Sequence, residues 1–293
     1  MTTKNNEIFV IGAGGIGTYV LSMLLEVVFA DMLQALDSPE GGAATLTTLD
    51  PADLAVIKDA WSITIIDGDV FESKNHLRQA AAVGVPKALH LCRLLQSSPL
   101  GRLISECIHH KHTYVRGDNV HELLASKEGG TKIIFSCLDN HKSRNILSVY
   151  AKHCKSNIWM ATGGNDYEYG QVFLYRKNKV GRAYVELDPA PHDMYECIRE
   201  PKDKAPFEIG CGEDTGSMSQ LALINNIVAM AMLNAFRLTY LNINQNGLGG
   251  RDNRFDVSIK PADTFFIKTN STYYKPITKP TEQTEQTVKE TTA

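Results

Sequence analysis

The segment Gly12-Ala13-Gly14-Gly15-Ile16-Gly17, near the start of the chain, constrains the fold more than any other feature. It is a Gly-x-Gly-x-x-Gly match that follows an apolar run over residues 7–11. After it, residues 16–36 carry apolar side chains at helical spacing, through Val20, Met23, Leu24, Val27 and Val28. Strand, glycine turn and helix in that order read as the opening of a doubly wound α/β sheet. Small residues let the backbone approach a phosphate, and the first helical turn offers unpaired N–H groups to an anion. Gly12, Gly14, Gly15 and Gly17 are therefore candidate nucleotide-binding residues. The same turn also serves as a tight strand-to-helix connection that holds no ligand.

The pattern continues down the chain. Trp61–Ile66 is an unbroken apolar run ending in an acid, as in a strand buried on both faces. A helix is expected over 86–95, with Pro86 at its tolerated first position. Strands follow over 132–135, 157–161 and 169–175, with a helix over His141–His153. This alternation predicts a Rossmann-like, doubly wound, mostly parallel sheet with helices on both faces. Residues 218–238 read as a long, largely buried helix. Two runs at 254–259 and 264–269 suggest a C-terminal β-hairpin extension. Residues 1–269 thus form one nucleotide-binding domain, with an insertion of loop and short helix at about 37–60. Residues 270–293 are rich in Thr, Lys, Glu, Gln and Pro, cannot build a core, and are expected to be a disordered tail.

A net charge of -3 argues against a protein that coats nucleic acid. No signal-peptide pattern opens the sequence, and the apolar stretch 227–233 is too short to span a bilayer. The expectation is a soluble, cytoplasmic protein with no nucleic-acid or membrane partner. Cysteines stand at 92, 107, 137, 154, 197 and 211, and none forms a Cys-x-x-Cys pair. Reduced, mostly buried thiols are expected, and no structural zinc.

A glycine loop alone says only that a nucleotide is bound. NAD-dependent Rossmann enzymes place a ribose-binding acid about 20 residues beyond the glycines. Here the first strand-end acid is Asp67, much further on, which argues against NAD without excluding it.

Three further segments narrow the choice. Asp67-Gly68-Asp69-Val70, with Asn75, Arg78 and Gln79, resembles the Asp-x-Asp-x-Val-x-x-x-Asn-x-x-Arg-Gln segment of ThiF, MoeB and the ubiquitin-activating enzymes. Val85-Pro86-Lys87-Ala88 resembles their Gly-x-Pro-Lys-Ala helix start, and Asp139-Asn140 with Arg144-Asn145 resembles their Asp-Asn-x-x-x-Arg-Asn stretch. The resemblance spans roughly residues 7–238. In outline the chain is similar to the minimal ThiF-like proteins of plasmids and phages.

The resemblance implies ATP with Mg2+ as cofactor, and an acyl-adenylate as product. Asp67 would accept hydrogen bonds from the ribose hydroxyls, and Asn75, Arg78 and Lys87 would surround the triphosphate. Asp139 would hold the magnesium, whose usual protein ligands are one or two carboxylates plus substrate phosphates. Asp69, Gln79 and Arg144 would support these groups. Each residue also has a plain structural use: Asp67 and Asp69 can cap a turn, Lys87 and Arg78 can be solvated charges, and Asp139 can cap a helix. The cluster His109-His110-Lys111-His112 would be split across two faces of a strand, which makes it a poor metal site. Asn225 and Asn226, inside an apolar helix, are expected to make satisfied core hydrogen bonds.

The chain departs from the family in two respects. No arginine precedes Arg78 to reach a partner subunit's ATP, and the family's zinc-binding cysteine pairs are missing. Cys211, between Gly210 and Gly212, stands where ThiF carries the cysteine that attacks the adenylated carrier. Glu213 and Asp214 would oppose its ionisation, so an inert thiol is the competing reading.

The leading functional reading is ATP-dependent adenylation of the C-terminal carboxylate of a small ubiquitin-like or sulfur-carrier protein. The enzyme would be a homodimer, with helix 218–238 either at the dimer surface or in the core. An NAD-dependent oxidoreductase and a non-catalytic ThiF-like binding module are the alternatives.

Overall fold

Apolar runs without a polar break become strands whose side chains feed two cores at once. In β1 (Asn6–Ile11) Ile8 and Val10 enter one core, while Phe9 and Ile11 enter the other. The structure, a computed structural model, describes residues 6–36, 50–72, 82–126, 130–165, 170–208, 222–241, 254–259 and 268–270.

After β1 comes α1 (Gly15–Leu36), and α2 (Pro51–Ala60) then runs directly into β2 (Trp61–Ile66). Next are α3 (Lys87–Ser97), α4 (Pro99–Leu103) and β3 (Ile108–Lys111). Then follow α5 (Val120–Leu123), β4 (Thr131–Ser136), α6 (His141–His153) and β5 (Asn157–Asn165). The chain doubles back through β6 (Gly170–Val180) and β7 (Ala183–Glu186) before α7 (Pro191–Met194) and α8 (Glu196–Arg199). Among the described residues it ends with α9 (Ala222–Phe236), β8 (Arg254–Ile259) and β9 (Lys268–Asn270).

The sheet order is β3-β2-β1-β4-β5-β6-β8-β9, with β7 paired to β6. β1 to β5 are parallel to one another, and β6 to β9 add antiparallel pairings. This is the expected Rossmann-like, doubly wound sheet with its C-terminal hairpin. The order reverses between β1 and β4, so a crevice opens at the carboxyl ends of those strands.

Helices α1, α2, α3 and α9 pack on one face, and α5 and α6 on the other. α1 buries Val20, Leu21, Leu24, Leu25, Val28 and Phe29. α9 lies against it and against β5 and β6. Glycines make room for that approach: a Cβ on Gly163 would fall 2.5 Å from Met232 Sδ, and one on Gly170 2.3 Å from Val228 Cγ2. α9 then widens into a π-turn over Arg237–Leu241.

Several expectations are adjusted. Residues 227–233 belong to a longer helical stretch, Ala222–Leu241, which is long and apolar enough to cross a membrane. Here over half of it is buried inside the protein. The insertion contains α2, started by a capping box in which Asp50 accepts from Asp53 N and Asp53 from Asp50 N. Pro86 is the N-cap of α3 rather than its first residue. Residues 37–49, 218–221 and 271–293 lie outside the described residues; of the proposed tail 270–293 only Asn270 is described, and it ends β9 rather than opening a disordered segment.

Candidate functional site

The glycine loop is knitted into the ends of two strands before any ligand arrives. Gly12 N donates to Ile66 O at the end of β2, and Cys137 N, just after β4, donates to Ile11 O. Gly12 has φ +96°, and a Cβ there would meet Cys137 O at 2.7 Å, so glycine is required twice over. A Cβ on Gly17 would overlap Gly12 O, which explains the last glycine of the motif. Among the described residues nothing lies within 4 Å of such a Cβ on Gly14, so they leave the middle of the loop open.

Asp67 follows β2 directly. Its Oδ2 accepts from Ala13 N of the glycine loop at 2.5 Å, and its Oδ1 accepts from Asp69 N at 2.7 Å. One carboxylate therefore shapes both the loop and the turn beside it. Burial, then the neighbouring Asp69 charge, pushes this carboxyl up to about 6. Asp69 in turn accepts from Lys87 Nζ at 2.9 Å, and Lys87 opens α3 with its backbone N on Asp69 O at 2.9 Å. Lys87 is thus aligned at the crevice by an ion pair that anionic phosphates can share.

On the other side stand the residues after β4. Asn140 caps α6 by accepting from Ser143 N at 2.8 Å, so the cap belongs to it and Asp139 is left exposed. Arg144 Nε and Nη2 donate to Leu138 O at 3.0 and 2.7 Å, and Nη2 reaches Gly163 O at 3.3 Å. This guanidinium ties the turn bearing Asp139 to the end of β5. Burial pushes the Cys137 thiol well above its ordinary range, which makes it an inert filler beside the loop.

No family model matches the sequence, and no curated protein matches it either. Solved structures do share its fold. E. coli MccB with ATP superposes with a TM-score of 0.51 at 16% identity, over 94% of this chain and 66% of that one. The chain therefore shares the Rossmann-like α/β fold of that protein. The MccB structure with succinimide gives a TM-score of 0.49 at 16% identity, over 92% of this chain and 64% of that one. E. coli tRNA N6-threonylcarbamoyladenosine dehydratase, TcdA, with ATP gives 0.47 at 16%, over 83% and 88%. The chain thus spans slightly less than two thirds of those MccB chains.

Within this fold, Gly12 to Gly17, Asp67, Lys87 and Asp139 all stand at the carboxyl ends of β1, β2 and β4 or at the start of α3. Asn75, Arg78, Gln79 and Cys211 lie outside the described residues. The histidines disperse: His109 and His110 are exposed on β3, while His112 Nε2 donates to Gly68 O at 2.9 Å. Among the described residues no group of three metal-ligating side chains exists. The expectation for Asn225 and Asn226 is corrected, since both amide oxygens are buried without a hydrogen-bond partner. Asn225 lies against Gly15, where the absence of a Cβ admits its amide. Tyr114 was not anticipated. Its hydroxyl donates to Asp69 Oδ1 at 2.6 Å, and its position just beyond a strand's carboxyl end is the signal that could have flagged it.

Proposed function

We propose that the protein binds ATP with Mg2+ in this crevice and adenylates the C-terminal carboxylate of a small ubiquitin-like or sulfur-carrier protein. The observation that carries the reading is the convergence of Asp67 on Ala13 N and of Lys87 on Asp69 beside the open Gly14. The loop amides and the N-terminus of α1 would take phosphate oxygens, Asp67 the ribose, and Lys87 the triphosphate. Asn75 and Arg78 join this set by their motif alone. The exposed Asp139 carboxylate, one residue past the Arg144-anchored Leu138 carbonyl, suits a magnesium ion held chiefly by substrate phosphates. That ion would neutralise charge on the phosphates. The acceptor carboxylate oxygen then attacks the α-phosphorus, pyrophosphate departs, and a mixed anhydride with AMP remains.

MccB has been crystallised with the peptide MccA, which supports a small peptide or protein as the acyl partner. A homodimer fits the apolar face shared by α1 and α9. Leu223 and Met230 of α9 are 65% and 56% exposed, and Ile227 of α9 and Tyr19 and Met23 of α1 are only partly buried. Whether the product passes to Cys211 is read on a non-reducing gel, where Cys211→Ser should abolish any thiol-sensitive conjugate.

A nicotinamide-dinucleotide site is the second reading, favoured by one observation: Asp67 stands at the end of β2, where dinucleotide folds place their ribose-binding acid. Calorimetry with ATP–Mg2+, NAD and FAD separates the two. Pyrophosphate exchange with peptides ending in Gly-Gly then separates an enzyme from a binding module. Asp139→Ala should lower exchange by about 100-fold or more with an unchanged melting temperature, because the side chain is exposed. An active Asp139→Ala protein sinks the assignment.

A further inference from the structure

We infer that Tyr114 is a positioning residue for the triphosphate, acting through Asp69 to hold the Lys87 ammonium where the phosphates arrive. This rests on the nucleotide reading above. The Asp69 carboxylate is shared: Oδ1 accepts from Tyr114 O–H at 2.6 Å, and Oδ2 accepts from Lys87 Nζ at 2.9 Å. The Asp69 backbone is fixed at both ends, with N on Asp67 Oδ1 and O receiving Lys87 N. The carboxylate torsion is the freedom left over, and the phenol hydroxyl removes it.

Tyr114 is itself well seated. Its ring lies flat on Gly68, where a Cβ would come within 2.5 to 2.6 Å of three ring atoms. Its carbonyl receives Asn119 Nδ2 at 3.0 Å, and Phe207 stands beside the ring at 6.4 Å between centroids. Burial, then the bond to Asp69, raises the phenol pKa, so it remains a donor throughout the physiological range. Lys87 lies on a flexible four-carbon stem, and such a side chain aims a charge only if something holds its far end. Asp69 holds the ammonium, and Tyr114 holds Asp69.

The test compares ATP–Mg2+ and adenosine binding by calorimetry in wild type, Tyr114→Phe, Lys87→Met and the double variant. Tyr114→Phe keeps the ring on Gly68, so its melting temperature should stay within a degree or two of wild type. It should weaken ATP about tenfold, the scale of a hydrogen bond to a charged group, and leave adenosine unchanged. In the Lys87→Met background the same change should have no further effect. Equal losses for ATP and adenosine, or a full loss on top of Lys87→Met, would overturn the proposal. A second readout needs no nucleotide: the rate at which acetic anhydride acetylates Lys87 should rise several-fold in Tyr114→Phe. An unchanged rate also overturns it. If wild type binds neither ligand, the nucleotide reading falls and the triphosphate role with it, while the acetylation rate still shows whether Tyr114 holds Lys87.

Discussion

Asp67 is the residue on which loop shape, charge and pH meet. Its two oxygens receive backbone N–H groups from Ala13 and Asp69, a task that suits the ionised form. Its carboxyl is nevertheless pushed up to about 6 by burial and by Asp69. ATP affinity should therefore be flat above about pH 7 and fall as pH drops through about 6. Asp69→Asn removes the second cause, so the midpoint of that fall should move to lower pH in a binding titration. A midpoint that stays in place would show that the Asp69 charge is not felt. Stability has the opposite sign. The folded carboxyl titrates above its ordinary 3.8, so this group's contribution is greatest below about pH 4, declines to about pH 6 and is flat above. That Asp67, Lys87 and Asp139 stand at strand ends or a helix start was legible in the sequence, while their candidacy as site residues came from the motif resemblance. Tyr114 was not, because an aromatic beside a strand reads as core. Its role emerges only once β3 is laid against β2, pairing segments that α3 and α4 separate along the chain.

At the scale of the element, α6 owes its ends to distant parts of the chain. Besides its own cap Asn140, the Asp203 carboxylate accepts from His141 N at 2.6 Å and Lys142 N at 3.2 Å. At the other end the buried Lys177 of β6 donates to the carbonyls of Ala151, Lys152 and Cys154 at 2.6, 2.9 and 2.6 Å. A negative group at the N-terminus and a positive one at the C-terminus both oppose the helix dipole. Lys177→Met keeps the stem but leaves those carbonyls unmatched, and should cost about 2–4 kcal/mol in a denaturant melt. A loss under about 0.5 kcal/mol would mean that water replaces the ammonium. The boundaries of α6 were readable from its periodicity, whereas these partners were not, since nothing local in residues 177 or 203 points to residues 141–154. The end of β5 was read short for a related reason. Gly163 and Gly164 look like loop in the sequence, yet they are strand residues kept small for α9 and Arg144.

For the molecule as a whole, the sheet and its two cores were largely visible beforehand, because a strand buried on both faces leaves an unmistakable apolar run. The antiparallel β7 was missed, since its exposed residues carry no such run. If the α1–α9 face joins two copies, Leu223→Glu with Met230→Glu should turn a dimer into a monomer in light scattering. Both side chains are exposed, so melting of the separated chain should stay cooperative. A wild-type monomer at micromolar concentration would end the dimer proposal.

The packing of α1 against α9 has a kinetic consequence. The flank of the first helix is covered by α9, a segment some two hundred residues later, whose Asn225 lies against Gly15. A nascent chain therefore carries α1, β1 and β2 with that flank bare until α9 has been made. Contacts so far apart in sequence close slowly, and the waiting surface is open to aggregation. Refolding from denaturant should accordingly show a slow, concentration-sensitive phase that Phe236→Ala prolongs, while the parallel strands near the N-terminus gain amide protection first. In vivo, the protein's yield should depend on chaperones that shelter a half-finished sheet.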